Sequence, residues 1–297
     1  MRPSPLCVAG LAALALAACQ PVRPDAPPAA TAIEAAPATV PADDNLNAVL
    51  WVQRSAEYRA LAEQTYRAAA DHLDAALKQA DWDALVASER GPAGTGLKPA
   101  VVLDIDETVL DNSPYQARLV RDGGEYSDPA WDAWVEERKA TAVPGVVAFA
   151  RAASARGITL VYISNRAVHL KDATLDNLRA AGLPVADDSV FLGLGTVVPG
   201  CEQEGSEKDC RRRLAGQRYR VLMQFGDQLG DFVRIDANTP AGRQGLLEQY
   251  RDWFGRRWWI LPNPTYGSWE PALFDNDWRQ PRQARRAAKR AALEVAP

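Results

Sequence analysis

The chain reads as an α/β protein, a three-layer, Rossmann-like parallel sheet carrying a small, mainly helical cap. Three observations predict this. Short apolar runs recur and each ends in a polar cluster: AVVLDID (100–106), GITLVYISNR (157–166), RYRVLMQFGD (218–227) and RRWWILPN (256–263). Helical patterns lie between them at 144–156 and at 171–181, the latter closed by Gly182. Short apolar strands alternating with helices argue a parallel sheet with crossover connections. Residues 114–141 fit neither period: Tyr115, Tyr126, Trp131 and Trp134 sit there among charges. That segment reads as an insertion between the first strand and its crossover helix, placed to cap the strand ends.

At 297 residues the chain holds one large or two small domains, and 47% hydrophobic residues suffice for a core. It begins with Arg2 and the apolar run CVAGLAALALAAC, too short and too rich in small residues for a permanent membrane span. The run ends Leu16-Ala17-Ala18-Cys19, which resembles a bacterial lipobox. That resemblance implies a signal peptide over 1–18, lipidation of Cys19 and, because Gln20 is not Asp, the outer membrane of a Gram-negative cell. Residues 19–44 are rich in Pro and Ala without an apolar period. They read as a tether between lipid and domain, since such a composition buries too little surface to offset its ordering entropy.

The folded domain is expected over 45–280. It opens with a helix or helix pair over 45–80, where Leu50, Tyr58, Leu61, Tyr66, Ala69, Leu73 and Leu77 recur at helical spacings. The glycines of GPAGTG (91–96) end it. The tail, 281–297, is basic (RQARRAAKR) and reads as a solvated helical or frayed end. A net charge of −4 with no other basic cluster argues against a nucleic-acid polymer as partner. Of four cysteines, Cys7 leaves with the signal and Cys19 carries lipid. Cys201 and Cys210 remain, close in sequence in a secreted context, and a disulfide is expected. So short a loop gives roughly 2–3 kcal/mol in the chain-entropy treatment.

The chemistry concentrates at the strand ends. Side chains alternate along a strand, so Asp104 and Asp106 share a face while Ile105 points away. Like carboxylates this close repel unless a cation or proton intervenes. Their oxygens suit a hard cation such as Mg²⁺.

DIDETVLDN resembles the first motif of the haloacid dehalogenase-like (HAD-like) phosphohydrolases. The superfamily's other motifs match in order: Ser164 in ISNR, Lys208 in SEKDCRR, and Asp227 with Asp231 in GDQLGDF. VLWVQRSAEYRAL, LDNSPY, GDQLGDF and LPNPTYGSWE resemble, more specifically, the class C acid phosphatases, bacterial lipoprotein acid phosphatases and 5′-nucleotidases. The resemblance runs from about residue 45 to residue 275 and implies roles. Asp104 is the nucleophile that forms an aspartyl-phosphate, and Asp106 the general acid and then base. Mg²⁺ is held by Asp104, Asp227 and the Asp106 backbone carbonyl, with Asp231 acting indirectly. Lys208, Ser164, Asn165 and backbone N–H groups near Thr108 hold the phosphoryl oxygens. Trp134 and Tyr266 stack on a nucleobase. The implied partners are a small phosphomonoester, above all a nucleotide, and the membrane through the lipid anchor; a homodimer is compatible. Arg166 either touches substrate or orients an acid. Asp111 is expected to cap a turn, His169 to lie on a helix surface, and Trp258 and Trp259 to pack in the core.

Overall fold

The computed structural model describes residues 44–91 and 96–296. The signal segment 1–18, Cys19 and all of the tether but its last residue therefore lie outside the described residues.

The first helical stretch breaks into α1 (Leu46–Arg54) and α2 (Ala56–Lys78) at Ser55, whose side chain caps α2 by accepting from the Tyr58 N–H at 3.0 Å. The buried face of α2 is Tyr58, Ala62, Tyr66, Ala69, Leu73 and Ala76. Leu50 of α1 and Leu61 of α2, expected on the apolar face of this helical stretch, are 44% and 37% exposed. Alanines face inward because another helix approaches closely there. A Cβ on Gly145, which has φ +89°, would lie 3.0 Å from the Glu63 Cα.

β1 (Lys98–Leu103) follows, then the two-residue β2 (Leu110–Asp111). The insertion supplies α3 (Ser113–Asp122) and α4 (Asp128–Glu136) and returns through β3 (Thr141–Ala142), which pairs antiparallel with β2 and clips its base shut. The chain then alternates: α5 (Val146–Ala155), β4 (Thr159–Ala167), α6 (Lys171–Ala180), β5 (Phe191–Leu194), α7 (Asp209–Arg218), β6 (Tyr219–Gly226), α8 (Pro240–Gln249) and β7 (Trp258–Ile260). The sheet has the order β5-β4-β1-β6-β7, and all its neighbours run parallel. The four apolar runs read from sequence are four of these strands. The fifth, β5, has only four residues at the sheet edge, too few to show a period.

Both faces of the sheet are covered, so apolar residues of its central strands pack to both sides. Val101 and Leu103 pack with α2, α5 and α6 residues, whereas Ala100 and Val102 pack with Ala84, Leu85, Ala215 of α7 and Trp258. Trp258 and Trp259 are both in the core, at 0% and 5% exposed. The Cys201–Cys210 disulfide is formed, with Cα atoms 5.6 Å apart. No described helix is long and apolar enough to cross a membrane.

The basic tail departs from expectation. It forms α9 (Arg282–Ala291), which is neither frayed nor turned wholly to solvent. Arg285 donates to Glu125 at 2.6 Å, Arg286 to Asp44 at 2.6 and 2.8 Å, and Lys289 to Glu270 at 2.8 Å. These three cations lie at helical spacings on one face, and that face finds carboxylates on three separate segments.

Candidate active site

β1 sits at the centre of a parallel sheet, so its carboxyl end opens at the place where such sheets bind ligands. Asp104 is the first residue past β1 and still belongs to the ladder, its N–H donating to the Phe225 carbonyl at 2.9 Å. Then the chain turns sharply. The Ile105 carbonyl accepts from the N–H groups of Thr108, Val109 and Leu110 at 3.3, 2.8 and 2.8 Å. Glu107 takes φ +57°, a region sparsely used by non-glycine residues. Its buried carboxylate holds that conformation from both ends: Oε1 accepts from the Asn112 N–H at 2.9 Å and Oε2 from the Tyr266 hydroxyl. Burial, with Asp106 beside it, pushes the Glu107 carboxyl up to about 8.

The turn carries Asp104 and Asp106 into one cavity of about 1040 Å³ but gives them different surroundings. Asp104 is buried against Lys208, whose ammonium contacts Asp104 Oδ1 and lies 2.7 Å from Asp231 Oδ1. Lys208 occupies the N-cap position of α7. Burial opposes its charge, but Asp104 and Asp231 overcome this and hold its ammonium above the ordinary value. The Asp104 carboxyl is pushed up to about 7 by burial, opposed by Lys208 and reinforced by Asp231 and Asp106. Asp227 is pushed well above the carboxylate range by burial, with Asp231 and Asp104 adding to it.

Asp104, Asp227 and Asp231 bring carboxylate oxygens within 4.8 Å of one another. Among the described residues Lys208 is the cation in contact with this cluster, and it brings one positive charge to three carboxylates. The excess of buried negative charge and the all-oxygen donor set both fit a hard divalent cation. Asp231 gets this close because β6 ends in Gly226: a Cβ there would stand 2.3 Å from the Asp231 Cβ. The Asp231 carboxylate also accepts from the Gln228 N–H at 3.0 Å, and Asn263 donates to Asp227 Oδ2 at 2.8 Å.

Asp106 is oriented by Arg166, which is 1% exposed. Arg166 Nε and Nη2 lie 2.9 and 2.8 Å from Asp106 Oδ1, and Asn112 Nδ2 donates to the same oxygen at 2.9 Å. Oδ2 keeps one long contact, the Ser164 hydroxyl at 3.3 Å. Of the two roles open to Arg166, the geometry gives it the orienting one.

The structure places the remaining expected residues as follows. Thr108 uses its N–H within the turn, its hydroxyl contacts Asp104 Oδ2 at 3.3 Å, and it is fully buried. Ser164 is likewise fully buried, and its hydroxyl serves Asp106 and the Arg166 N–H. Trp134 does not face the cavity. It is 3% exposed, donates to Asn112 Oδ1 at 2.8 Å and lies under the Arg118 guanidinium. Its indole holds Asn112, which holds Asp106. Trp131, three residues earlier on α4, lines the cavity instead, edge-on to Tyr115. Asn165 and Tyr266 do line the cavity. Asp111 caps a turn, accepting from the Ser113 N–H at 2.8 Å, and the exposed His169 meets Asp132 at 2.8 Å.

Arg211 was not foreseen. It is fully buried and donates to the Ser164 carbonyl, Asn165 Oδ1 and the carbonyls of Ser206 and Glu207, at 2.5, 2.8, 3.1 and 3.0 Å. It thereby ties the loop before α7 to the end of β4. It is one of three consecutive arginines, of which Arg211 and Arg212 are both fully buried, and nothing local in the sequence tells that Arg211 is the one that meets the end of β4.

The site therefore combines a buried carboxylate paired with a lysine, a second carboxylate with one oxygen clamped, and a cation-demanding acid cluster. That is equipment for phosphoryl transfer. Comparison with known proteins agrees. The class C acid phosphatase from Bacillus anthracis is 35% identical, with a TM-score of 0.73 over 85% of this chain and 98% of that one; its structure with tungstate bound matches equally. Among curated relatives, the stem 31 kDa glycoprotein of Glycine max is 27% identical over 165 residues. Vegetative storage protein 2 of Arabidopsis thaliana is 28% identical over 167, and acid phosphatase 1 of Solanum lycopersicum 24% over 165. Each match takes in 56% of this chain, and the chain spans 58%, 55% and 57% of those relatives' lengths. The family model of the HAD superfamily, subfamily IIIB (acid phosphatase), matches residues 11–269, and the chain belongs to that family.

Proposed function

We propose that this protein is a phosphomonoesterase that hydrolyses nucleoside 5′-monophosphates through an aspartyl-phosphate. The observation that carries this reading is the contrast between Asp104 and Asp106 in one cavity. Asp104, paired with Lys208, is a nucleophile. Asp106 has one oxygen held by two N–H donors and the Arg166 charge, and one nearly free, as a proton carrier needs. That the Bacillus anthracis relative binds tungstate, a tetrahedral oxyanion, supports the same chemistry.

In the first step an Asp104 oxygen attacks phosphorus and the P–O bond to the leaving group breaks. The proton on Asp106 Oδ2 passes to the departing alkoxide, since Oδ1 is committed as an acceptor. In the second step Asp106 takes a proton from water, the water oxygen attacks phosphorus, and the Asp104–phosphorus bond breaks. Lys208 lowers the repulsion between the Asp104 anion and the phosphate. Each unit-charge pair at about 4 Å amounts to about 4 kcal/mol at an effective dielectric of 20. Asp104, Asp227 and Asp231, with the Asp106 carbonyl, would hold Mg²⁺, which when bound supplies two further positive charges beside the phosphoryl oxygens. Trp131 and Tyr266 offer aromatic wall for a base, and stacking contributes roughly 1–3 kcal/mol.

The test is a substrate panel of 5′-AMP, p-nitrophenyl phosphate and glycerol phosphate, with Mg²⁺ and with EDTA. Turnover should vanish in EDTA and return with Mg²⁺. The kcat/KM for 5′-AMP should exceed that for glycerol phosphate roughly tenfold, from stacking of the above size. Full activity in EDTA removes the metal, equal rates on both esters remove the nucleotide preference, and no turnover removes the enzyme. We also propose a lipid anchor at Cys19 in the outer membrane, on the strength of the lipobox. Cys19→Ser should move the protein from the detergent phase to the aqueous phase; a variant that still partitions with detergent places the anchor elsewhere.

A further inference from the structure

α9 lies beyond residue 269, where the family match ends, and none of the roles above uses it. Its face made of Arg282, Arg285, Arg286 and Lys289 lines the same cavity as Asp104 and Lys208. This wall carries four cations against three carboxylates, Asp44, Glu125 and Glu270. Arg286 and Lys289 are matched one to one by Asp44 and Glu270, whereas Arg282 and Arg285 share Glu125. The sharing is unequal. Arg285 takes Glu125 at 2.6 Å, leaving Arg282 at 3.9 Å, where it donates, among the described residues, to the Gly123 carbonyl at 3.0 Å.

Arg285 is itself incompletely satisfied. It is 9% exposed, lies over the Trp278 ring at 5.1 Å, and its buried Nε has no hydrogen-bond partner among the described residues. The Arg282 side chain is 56% exposed, so its guanidinium has donors open to an arriving anion, and Arg285 sets a second guanidinium on the same helix face. Such a pair is suited to phosphate. At the reacting end of the cavity Lys208 already serves Asp104 and Asp231. The surplus positive charge is therefore at the other wall.

We propose that Arg282 and Arg285 of α9 bind a second phosphate group on the substrate, remote from the ester being cleaved. The favoured substrates are then nucleotides carrying two separate phosphates, held by the base in the middle and by an anion at each end. This rests on the phosphomonoesterase reading above and deepens it. Binding energy gained away from the reacting phosphorus helps position the scissile phosphate.

The experiment compares initial phosphate release from 5′-AMP and from adenosine 3′,5′-bisphosphate, using the intact protein, Arg282→Gln and Arg285→Gln. The intact protein should show a kcat/KM roughly tenfold higher for the bisphosphate, the gain of one charge-assisted contact. That ratio should shrink as salt is raised, because the partly exposed pair is screened. Each substitution should pull the ratio toward one. Should Arg285→Gln fail to fold, the more exposed Arg282→Gln decides. Turnover of 5′-AMP with no advantage for the bisphosphate, or an advantage that Arg282→Gln leaves whole, overturns the inference alone. No turnover of either ester overturns the phosphomonoesterase reading and the inference with it.

Discussion

Asp104→Asn is expected to abolish turnover, by on the order of 10⁴-fold or more, as loss of a covalent nucleophile does elsewhere. The amide cannot attack phosphorus as an anion, and no second carboxylate can replace it: Asp227 and Asp231 are committed to Asn263, Lys208 and Gln228, and Asp106 to Arg166. The fold should survive. The amide has the carboxylate's shape and keeps an acceptor for Lys208, and Lys208 retains Asp231 at 2.7 Å. The check is steady-state turnover beside a thermal melt. A folded variant with wild-type turnover takes the nucleophile's role away from Asp104, whereas an unfolded one is replaced by Asp104→Glu, which keeps the charge but moves it out of line.

Asp106→Asn should split the reaction in two. With p-nitrophenyl phosphate the leaving group departs without a proton, so phosphorylation of Asp104 proceeds. Dephosphorylation then lacks its base. The expected record is a burst of about one equivalent of nitrophenol per site, followed by a steady rate lower by roughly 10²–10⁴-fold, the usual worth of general acid–base catalysis. With 5′-AMP, whose alkoxide needs the proton, the burst should disappear. The substitution is well matched to its surroundings: the amide oxygen can still accept from Arg166 and Asn112, while the NH₂ takes the place of Oδ2. A wild-type steady rate on 5′-AMP would mean that the proton comes from elsewhere.

The placements that the sequence did not settle have a common cause. Trp134 and Trp131 lie on one short helix and look alike in composition. Which of them meets the cavity depends on the rotation of α4 against Asn112 and Arg118, set by contacts 22 and 16 residues away in the chain. Thr108 and Ser164 stand in motif positions, yet their burial turns their hydroxyls onto Asp104 and Asp106. Arg211 cannot be told from Arg212 and Arg213 by any local pattern, and only the loop before α7 closing over the end of β4 picks it out.

By itself the sequence determined the parallel sheet, because apolar runs and helical periods are local and each residue's face follows from its position in its own element. Through the resemblance of its motifs to the HAD-like phosphohydrolases it also grouped Asp104, Asp106, Lys208, Asp227 and Asp231, and the acids among them follow strand ends. The tertiary structure alone decided how those acids divide their labour. One is buried beside a lysine 104 residues further on, and the other is clamped by an arginine 60 residues further on. It alone turned a basic tail into a cavity wall, because Glu125, Asp44 and Glu270 come from three distant segments and the helix face between them has no meaning until they meet.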